Sequence, residues 1–385
     1  MVSRTVRIAY ADALRAFAIL CVFLHHMFLQ TLLIAKSREL EWLGYWGVDC
    51  FFVLTGFLLC GPYFRAIVDG TPLPSWRQFA ARRFLRIYPL YFVCLALSIV
   101  DASLHADRPS VLDVGAHVFM LHGFLVPFVT QINGPLWTMA VDAQFYLIMP
   151  VVAFALYALV RKRSVDTRVR SIWFLLALVF CLSALERFAS LYVLTKAGAA
   201  TWDSVAVYTR NVVGMGTAFA IGAALAFLAI RAPRPRLPQA WYGGAALLGV
   251  LFIGLQMRTL GLDPTHLLPV ISTYGLIDIL GACSAGLLLY GLTRGGWTRL
   301  DAVVNSKFVA TLAALAYAVY LFQEPIINHV VGAYPGPLGN PLVTLWLGII
   351  ALLIVYCFAV PMHRFVEQPF LDMREHHRDI IPTLP

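Results

Sequence analysis

The sequence predicts an all-α membrane protein, a polytopic bundle of about ten transmembrane helices. Hydrophobic residues make up 60% of the 385 positions, and charged residues make up only 13%. The charged fraction is about half of that in soluble domains. The mean hydropathy is +0.78. This composition excludes an ordinary soluble enzyme and a disordered or fibrous chain.

Ten apolar runs are long enough to cross a bilayer as helices, which requires about 20 residues each. If the N-terminus is cytoplasmic, 21 of the 29 Lys and Arg residues fall in cytoplasmic stretches and six in external ones. Positive charge favours cytoplasmic loops, so we expect both termini to be cytoplasmic. The predicted spans lie near residues 10–35, 44–66, 80–103, 135–160, 171–195, 211–230, 239–257, 267–292, 308–331 and 342–366.

A further, weakly apolar segment at 111–130 contains His117, His122, Asp113 and Pro127. If it were a full span, every later segment would be inverted and the basic loops that follow would lie outside. Because that topology conflicts with the preference for positive charge inside, we expect the segment to be external, interfacial or re-entrant.

We expect one membrane domain over residues 1–385, with a core at 10–370, no separate soluble domain and no cleaved signal peptide. The +9 net charge is spread over short clusters between apolar runs, which indicates orientation signals and not a nucleic-acid surface. The seven cysteines lie in or beside apolar runs without a spacing typical of metal ligands. No metal site is therefore predicted, and the localisation expected is multi-pass in the cell (inner or plasma) membrane.

Arg15 and His26 stand eleven residues apart in the first predicted span. On a helix this separation is three turns plus about 20°, with a rise of about 16 Å, so both side chains point the same way. His25 points about 80° away from Arg15, and Asp12 lies where it can pair with Arg15. The alternative is an arginine that reaches the interface and a histidine that bonds a neighbouring helix.

The following spans add three more groups of polar residues. Asp49, at the start of the second span, could hydrogen-bond His26 if the first two helices pack as neighbours, or it could serve as a helix cap. Asp142 enters the fourth span and could support a base, bind a hydroxylated substrate or simply start the helix. Before the third span lies a basic cluster suited to anion binding, although such a cluster also fits lipid headgroups: Arg82, Arg83 and Arg86.

Several segments, in order along the chain, resemble the motifs of the acyltransferase-3 family, the membrane O-acyltransferases typified by bacterial O-antigen acetylases. The resemblance extends from Asp12 to Phe370, and it places the family's arginine and histidine, which have ten residues between them, on Arg15 and His26. The segments that carry it are DALRAFAIL followed by HH, GVDCFFVLTGFLL, RRFLRIYPLY, GPLWTMAVDAQFYLIMP, LAYAVYLFQEP and VEQPF.

The resemblance implies transfer of an acyl group, usually acetyl, from coenzyme A to a hydroxyl of a carbohydrate or glycolipid. It implies that His26 acts as general base or transient acyl carrier, while Asp49 and Asp142 orient either His26 or the acceptor. Acyl-CoA would be the co-substrate, with its phosphates held by Arg15, Arg82, Arg83 and Arg86. The sequence departs from the family pattern at Asp142–Ala143, where two glutamates are common, and at Gln323, where a histidine is common.

Two other functions compete with an acyltransferase. A glycolipid transporter or flippase would also bury charged residues, but the sequence shows no inverted repeats or paired broken helices. An inactive family member acting as a scaffold is the second alternative, and the glutamine at position 323 keeps it open.

Overall fold

A computed structural model describes residues 4–32, 40, 42–105, 108–125, 132–198, 202–231, 238–259, 267–295 and 301–379. Every regular element in these ranges is helical. Long apolar helices pair their own backbone groups internally, which is the condition for crossing hydrocarbon.

The helices are named in chain order. They are α1 (Arg4–Gln30), α2 (Trp42–Asp69), α3 (Trp76–Leu104), α4 (Val111–Val118), α5 (Leu136–Val160), α6 (Val165–Lys196), α7 (Trp202–Thr209), α8 (Gly216–Arg231), α9 (Pro238–Thr259), α10 (Leu267–Gly295), α11 (Asp301–Val304), α12 (Lys307–Gly332), α13 (Pro341–Met362) and α14 (Gln368–Asp379), with a 3-10 turn at His122–Phe124 and a π-helical turn at His363–Glu367.

Among the described residues, eight helical segments are long and apolar enough to cross a membrane. The predicted all-α, multi-pass membrane fold is therefore confirmed. The predicted spans at 211–230 and 239–257 coincide with α8 and α9, whose apolar stretches are shorter. The total of ten spans and the cytoplasmic position of both termini remain predictions.

The segment at 111–125 forms two short helical pieces, each too short to cross a bilayer. Ser110 caps the first piece by accepting a hydrogen bond from the Asp113 backbone N–H at 3.1 Å. The rings of His117 and His122 then stack 3.9 Å apart, fully buried. This agrees with a non-spanning segment, although its last predicted residues, 126–130, lie outside the described ranges.

Helix α1 lies between two apolar cores. Ile19 and Phe23 face the first core, which α1 shares with α3, α5, α12 and α13. Leu14 and Ala18 face the second core, which α1 shares with α2, α5, α8, α9 and α10. Because α1 contributes side chains to both cores, a polar residue on either of these faces lies against protein and needs a partner from another helix.

Candidate active site

A cavity of about 360 Å³ lies where α1, α2, α3, α5 and α12 meet. Its volume is in the range of small-molecule sites, and its lining mixes apolar side chains with convergent polar ones. The polar lining includes Arg15, Thr55, Arg83, Arg86, Thr138, Asp142, Tyr146 and Tyr320.

Three arginines line the cavity. Arg15 comes from α1, while Arg83 and Arg86 come from α3, one turn apart on the same face. Arg15 is paired with Asp12 at 2.5 Å, as the sequence predicted. The Arg83 guanidinium lies 5.8 Å from the ring centre of Tyr146, which orients it. Three guanidinium groups around one cavity form a site suited to phosphate oxygens.

Arg82 was predicted to join this cluster, but it is not among the residues that line the cavity. Neighbouring residues on a helix point about 100° apart, so α3 can turn Arg83 towards the cavity only by turning Arg82 away. The structure therefore separates Arg82 from the three arginines that line the cavity.

Asp142 is placed in the cavity wall by α5. It stands one turn before Tyr146 and lines the cavity together with Thr55 of α2. Its Oδ1 atom is buried and has no hydrogen-bond partner in the described structure. An unpaired buried carboxylate oxygen is costly, and it can accept a hydrogen bond from a ligand.

His26 faces α12, where its Nδ1 lies 3.7 Å from Oε2 of Glu324. This distance exceeds that of a hydrogen bond, and neither atom has any hydrogen-bond partner in the described structure. The two side chains are largely buried, with exposed fractions of 16% and 19%. A histidine and a carboxylate at this separation form a pair in which the acid can stabilise an imidazolium.

His25 lies on a different face of α1, as the helical spacing predicted. Its ring packs so closely on Gly44 of α2 that a Cβ there would come within 2.5 Å of it. It also meets the ring of Tyr45 at 6.2 Å. The His25 ring therefore faces α2, whereas His26 faces an acid of α12.

Asp49 does not contact His26, so the predicted pairing is wrong in this structure. Gly44 lies opposite His25 and Gly47 lies opposite Ala18, so the two helices are antiparallel. Asp49 therefore lies nearer to the N-terminal end of α1 than His26 does. A Cβ on Gly281 of α10 would overlap the Asp49 carboxylate, which is 1% exposed.

Asp49 instead belongs to a second buried polar group between α2, α6 and α10. It interacts electrostatically with Arg187 and Asp278, which form an ion pair with each other. Arg187 also donates a hydrogen bond to the Gly214 carbonyl at 3.0 Å. This group joins three helices, which indicates a structural role for Asp49.

The inner end of the cavity is formed by Thr138 and Tyr320, whose hydroxyl groups are 2.7 Å apart. Glu324 lies one turn beyond Tyr320 on α12, a rise of about 6 Å. His26 itself does not line the cavity. The hydroxyl pair thus stands between the arginine-lined cavity and the His26–Glu324 pair.

Sequence reasoning missed two residues of this site. Glu324 was not singled out from the sequence, although it lies inside a predicted span, beside a proline in YLFQEP. Arg210 interacts electrostatically with His26 and Glu324, and its guanidinium lies 5.0 Å from the ring centre of Trp137. No pattern in the sequence predicted that Arg210 would lie close to His26 of α1.

Position 323, where the sequence departs from the family pattern, is fully buried. Neither the amide nitrogen nor the amide oxygen of Gln323 has a hydrogen-bond partner among the described residues. The acid next to it, Glu324, is the one that pairs with His26.

Comparison with known proteins gives a family match over most of the chain. Residues 8–361 match the acyltransferase domain family, acyltransferase-3. A Staphylococcus aureus (strain COL) protein named "Putative O-acetyltransferase SACOL0978" is 27% identical over 167 residues, which cover 40% of this chain and 26% of that protein. O-acetyltransferase OatA of S. aureus (strain NCTC 8325 / PS 47) is 26% identical over 179 residues, with the same two coverages.

The matched part of the chain thus spans about a quarter of the length of these relatives. No solved structure was found to match the chain.

Proposed function

The chain belongs to the acyltransferase-3 family, and from this premise we propose that it is a membrane O-acyltransferase that uses acyl-CoA. The acyl group is acetyl, and the acceptor is a hydroxyl of a carbohydrate or glycolipid. The observation that carries the proposal is the cavity, which leads from Arg15, Arg83 and Arg86 to the hydroxyl pair one turn from Glu324.

The arginines are assigned to the phosphates of coenzyme A. Guanidinium groups bind phosphate through charge-assisted hydrogen bonds, which are the stronger class of hydrogen bond. The pantetheine arm then runs along the cavity towards Thr138 and Tyr320. Arg15 and His26 are separated by about 16 Å along α1, a length that this arm can bridge.

The chemistry is assigned to His26, with Glu324 as its partner. Because Nδ1 faces Glu324, Nε2 is the atom left to take the proton from the acceptor hydroxyl. The hydroxyl oxygen attacks the thioester carbonyl, the carbon–sulfur bond breaks, and the proton returns from the imidazolium to the leaving thiolate. The Glu324 carboxylate stabilises the imidazolium while it exists.

A covalent route uses the same residues. The unprotonated Nε2 of His26 attacks the thioester carbonyl, the carbon–sulfur bond breaks, and coenzyme A leaves as the thiolate. The acceptor oxygen then attacks the acyl-imidazole, the carbon–nitrogen bond breaks, and the hydroxyl proton passes to the thiolate. Asp142, with an unpaired carboxylate oxygen in the cavity wall, is assigned to orienting a substrate and not to orienting His26.

The arginine-lined end of the cavity is proposed to face the cytoplasm, where acyl-CoA is made, because basic loops favour that side. The acceptor approaches the His26–Glu324 pair from the other side. The protein is accordingly proposed to reside in the cell (inner or plasma) membrane.

The first test measures thiol release and protein-bound label from radiolabelled acetyl-CoA, with the full chain in nanodiscs. We expect turnover or labelling by the unaltered protein and none by His26→Ala. His25→Ala is the matched control, because its ring faces α2, and it should retain most of the activity.

Equal losses in both histidine variants would contradict the assignment of the chemistry to His26. Movement of a glycolipid across the membrane without thiol release would instead support the transporter alternative. Coenzyme A binding with no turnover or labelling in the presence of acceptor glycans would support the scaffold alternative.

A further inference from the structure

Three side chains at the far end of α3 and α12 come together outside the candidate active site. Asp101 lies in α3, His105 is the C-cap residue of α3, and His329 lies in the last turn of α12. One ligand atom from each residue lies within 4.8 Å of the others. The proposed transfer reaction assigns no role to any of them.

Parallel packing of the two helices creates this cluster. Tyr317 of α12 donates a hydrogen bond to the Ile87 carbonyl of α3 at 2.7 Å, and Cys94 donates to the Leu321 carbonyl at 3.3 Å. Further along both helices in the same direction, His329 Nε2 lies 2.9 Å from Asp101 Oδ1. The two helices therefore end side by side, at the opposite end of α3 from the arginine cluster.

We propose that Asp101, His105 and His329 form a binding site for a divalent transition-metal ion of the zinc class. Two imidazoles and one carboxylate are a donor set that zinc uses, with a fourth position left for water. Calcium and magnesium prefer ligands that are all oxygen, so the two histidines disfavour them.

The spacing of the donors agrees with this chemistry. Tetrahedral zinc with bonds of about 2.0–2.2 Å places its ligand atoms about 3.3–3.5 Å apart. The distance from His105 Nδ1 to Asp101 Oδ1 is 3.4 Å, and that from His329 Nε2 to the same oxygen is 2.9 Å. The rings of the two histidines are 5.5 Å apart. His105 Nδ1 lies 2.9 Å from the Asp101 backbone carbonyl, and it would exchange this hydrogen bond for the bound ion.

The exposure of the three side chains to water and the electrostatic field of the nearby helix ends also favour a cation. The three side chains are 40%, 63% and 54% exposed, in chain order, so an ion reaches them directly from water. Two helix C-termini converge at the cluster, and each carries a partial negative charge. A bound ion would join α3, which carries Arg83 and Arg86, to α12, which carries Glu324.

The test uses the full chain in nanodiscs, purified without a histidine tag and stripped with chelator. Zinc binding is measured by calorimetry, and Co²⁺ is added as a spectroscopic probe of coordination. We expect one zinc ion per chain, and at least a tenfold weaker affinity in Asp101→Asn and in His329→Gln. Zinc should raise the melting temperature of the unaltered protein and not that of His329→Gln.

His363→Gln is the matched control, because His363 is paired with Glu367 at 2.8 Å but has no second histidine beside it in the described structure. It should bind zinc like the unaltered protein. No zinc binding at submillimolar concentrations would overturn the proposal, and so would equal affinity in the site variants and the control. These measurements do not depend on acyl transfer, so they test the zinc site independently of the proposed reaction.

Discussion

His26 of α1 and Glu324 of α12 face each other with 3.7 Å between the imidazole Nδ1 and the carboxylate Oε2. They come from the first and the twelfth helix, so their pairing is a product of tertiary packing alone. Both atoms lack a hydrogen bond in the described structure, and in unliganded sites catalytic hydrogen bonds are often long. This leaves one imidazole nitrogen for the acid and the other for the reaction.

The first prediction concerns the charge at Glu324. Glu324→Gln keeps the shape of the side chain but removes the negative charge that would stabilise an imidazolium. We expect the rate of acyl transfer to fall by about 10²–10⁴, as for other losses in general acid–base catalysis, with little change in acyl-CoA binding. Steady-state kinetics with purified protein, followed by thiol release, measures both quantities.

Glu186→Gln provides the control, since Glu186 is another carboxylate inside a span and bonds only Ser190 among the described residues, at 3.2 Å. Its activity should match that of the unaltered protein. A Glu324→Gln enzyme with full activity would show that His26 works without this acid.

The second prediction separates the arginines by their position relative to the cavity. Arg83→Ala and Arg86→Ala each remove a group from the cavity wall, whereas Arg82→Ala removes one that is not in it. Charge-assisted hydrogen bonds contribute about 1.5–3 kcal/mol, so we expect roughly ten- to hundredfold weaker acyl-CoA binding for the first two variants. Arg82→Ala should bind nearly normally.

Binding of coenzyme A to the three variants in nanodiscs measures this difference at one fixed salt concentration. All three changes remove one positive charge from the same helix, so a general effect of charge would weaken binding equally. Equal weakening would contradict the assignment of the cavity to the phosphates.

The third prediction uses the close packing of Gly134 against Glu324. A Cβ at position 134 would overlap the Glu324 carboxylate and push it away from its present place. We therefore expect Gly134→Ala to lower acyl transfer at least tenfold while the protein still folds. Gly115→Ala is the control, because a Cβ there meets no atom within 4 Å.

Circular dichroism and size-exclusion chromatography of both glycine variants establish that each is folded before activity is compared. If Gly134→Ala is as active as Gly115→Ala, then the position of the Glu324 carboxylate does not limit the reaction.

The features that could be predicted from the sequence lie within single helices. The stripe that joins Arg15 to His26, and the separation of His25 from it, depend only on 3.6 residues per turn. The structure agrees on the histidines, whose rings face different helices, whereas Arg15 lines the cavity and His26 does not. Apolar length likewise predicted the positions of the long helices.

Contacts between helices could not be predicted in the same way, because they depend on register and on neighbours that are distant in the sequence. Asp49 seemed a suitable partner for His26, since α1 and α2 are consecutive. However, the antiparallel register sets Gly47 against Ala18, and this places Asp49 against α10 instead. The true partner, Glu324, follows almost 300 residues after His26.

The last prediction concerns the pH dependence of the short segment at 111–125, which lies outside the spanning helices. Burial, together with the neighbouring His117, lowers the pKa of His122 to about 3. Burial also lowers the pKa of His117 and raises the pKa of Asp113, whose side chains lie 3.0 Å apart. A lowered histidine pKa and a raised carboxyl pKa change the stability with pH in opposite directions. His122 therefore determines whether the segment becomes more or less stable as the pH falls.

A histidine with a lowered pKa stays neutral in the folded segment but takes up a proton when the segment opens. The stability of the segment is therefore complete above about pH 6.5, the ordinary value for histidine, and falls as the pH decreases from there towards 3. Hydrogen exchange by mass spectrometry, corrected for the intrinsic pH dependence, should show faster opening of 111–125 at pH 5 than at pH 7.

His122→Phe is the informative variant, since phenylalanine can keep the stacking on His117 but cannot titrate. Opening of the segment in this variant should change much less between pH 7 and pH 5. If the variant opens in acid as readily as the unaltered protein, the sensitivity comes from Asp113 and His117, and the opposition inferred between those two groups is wrong.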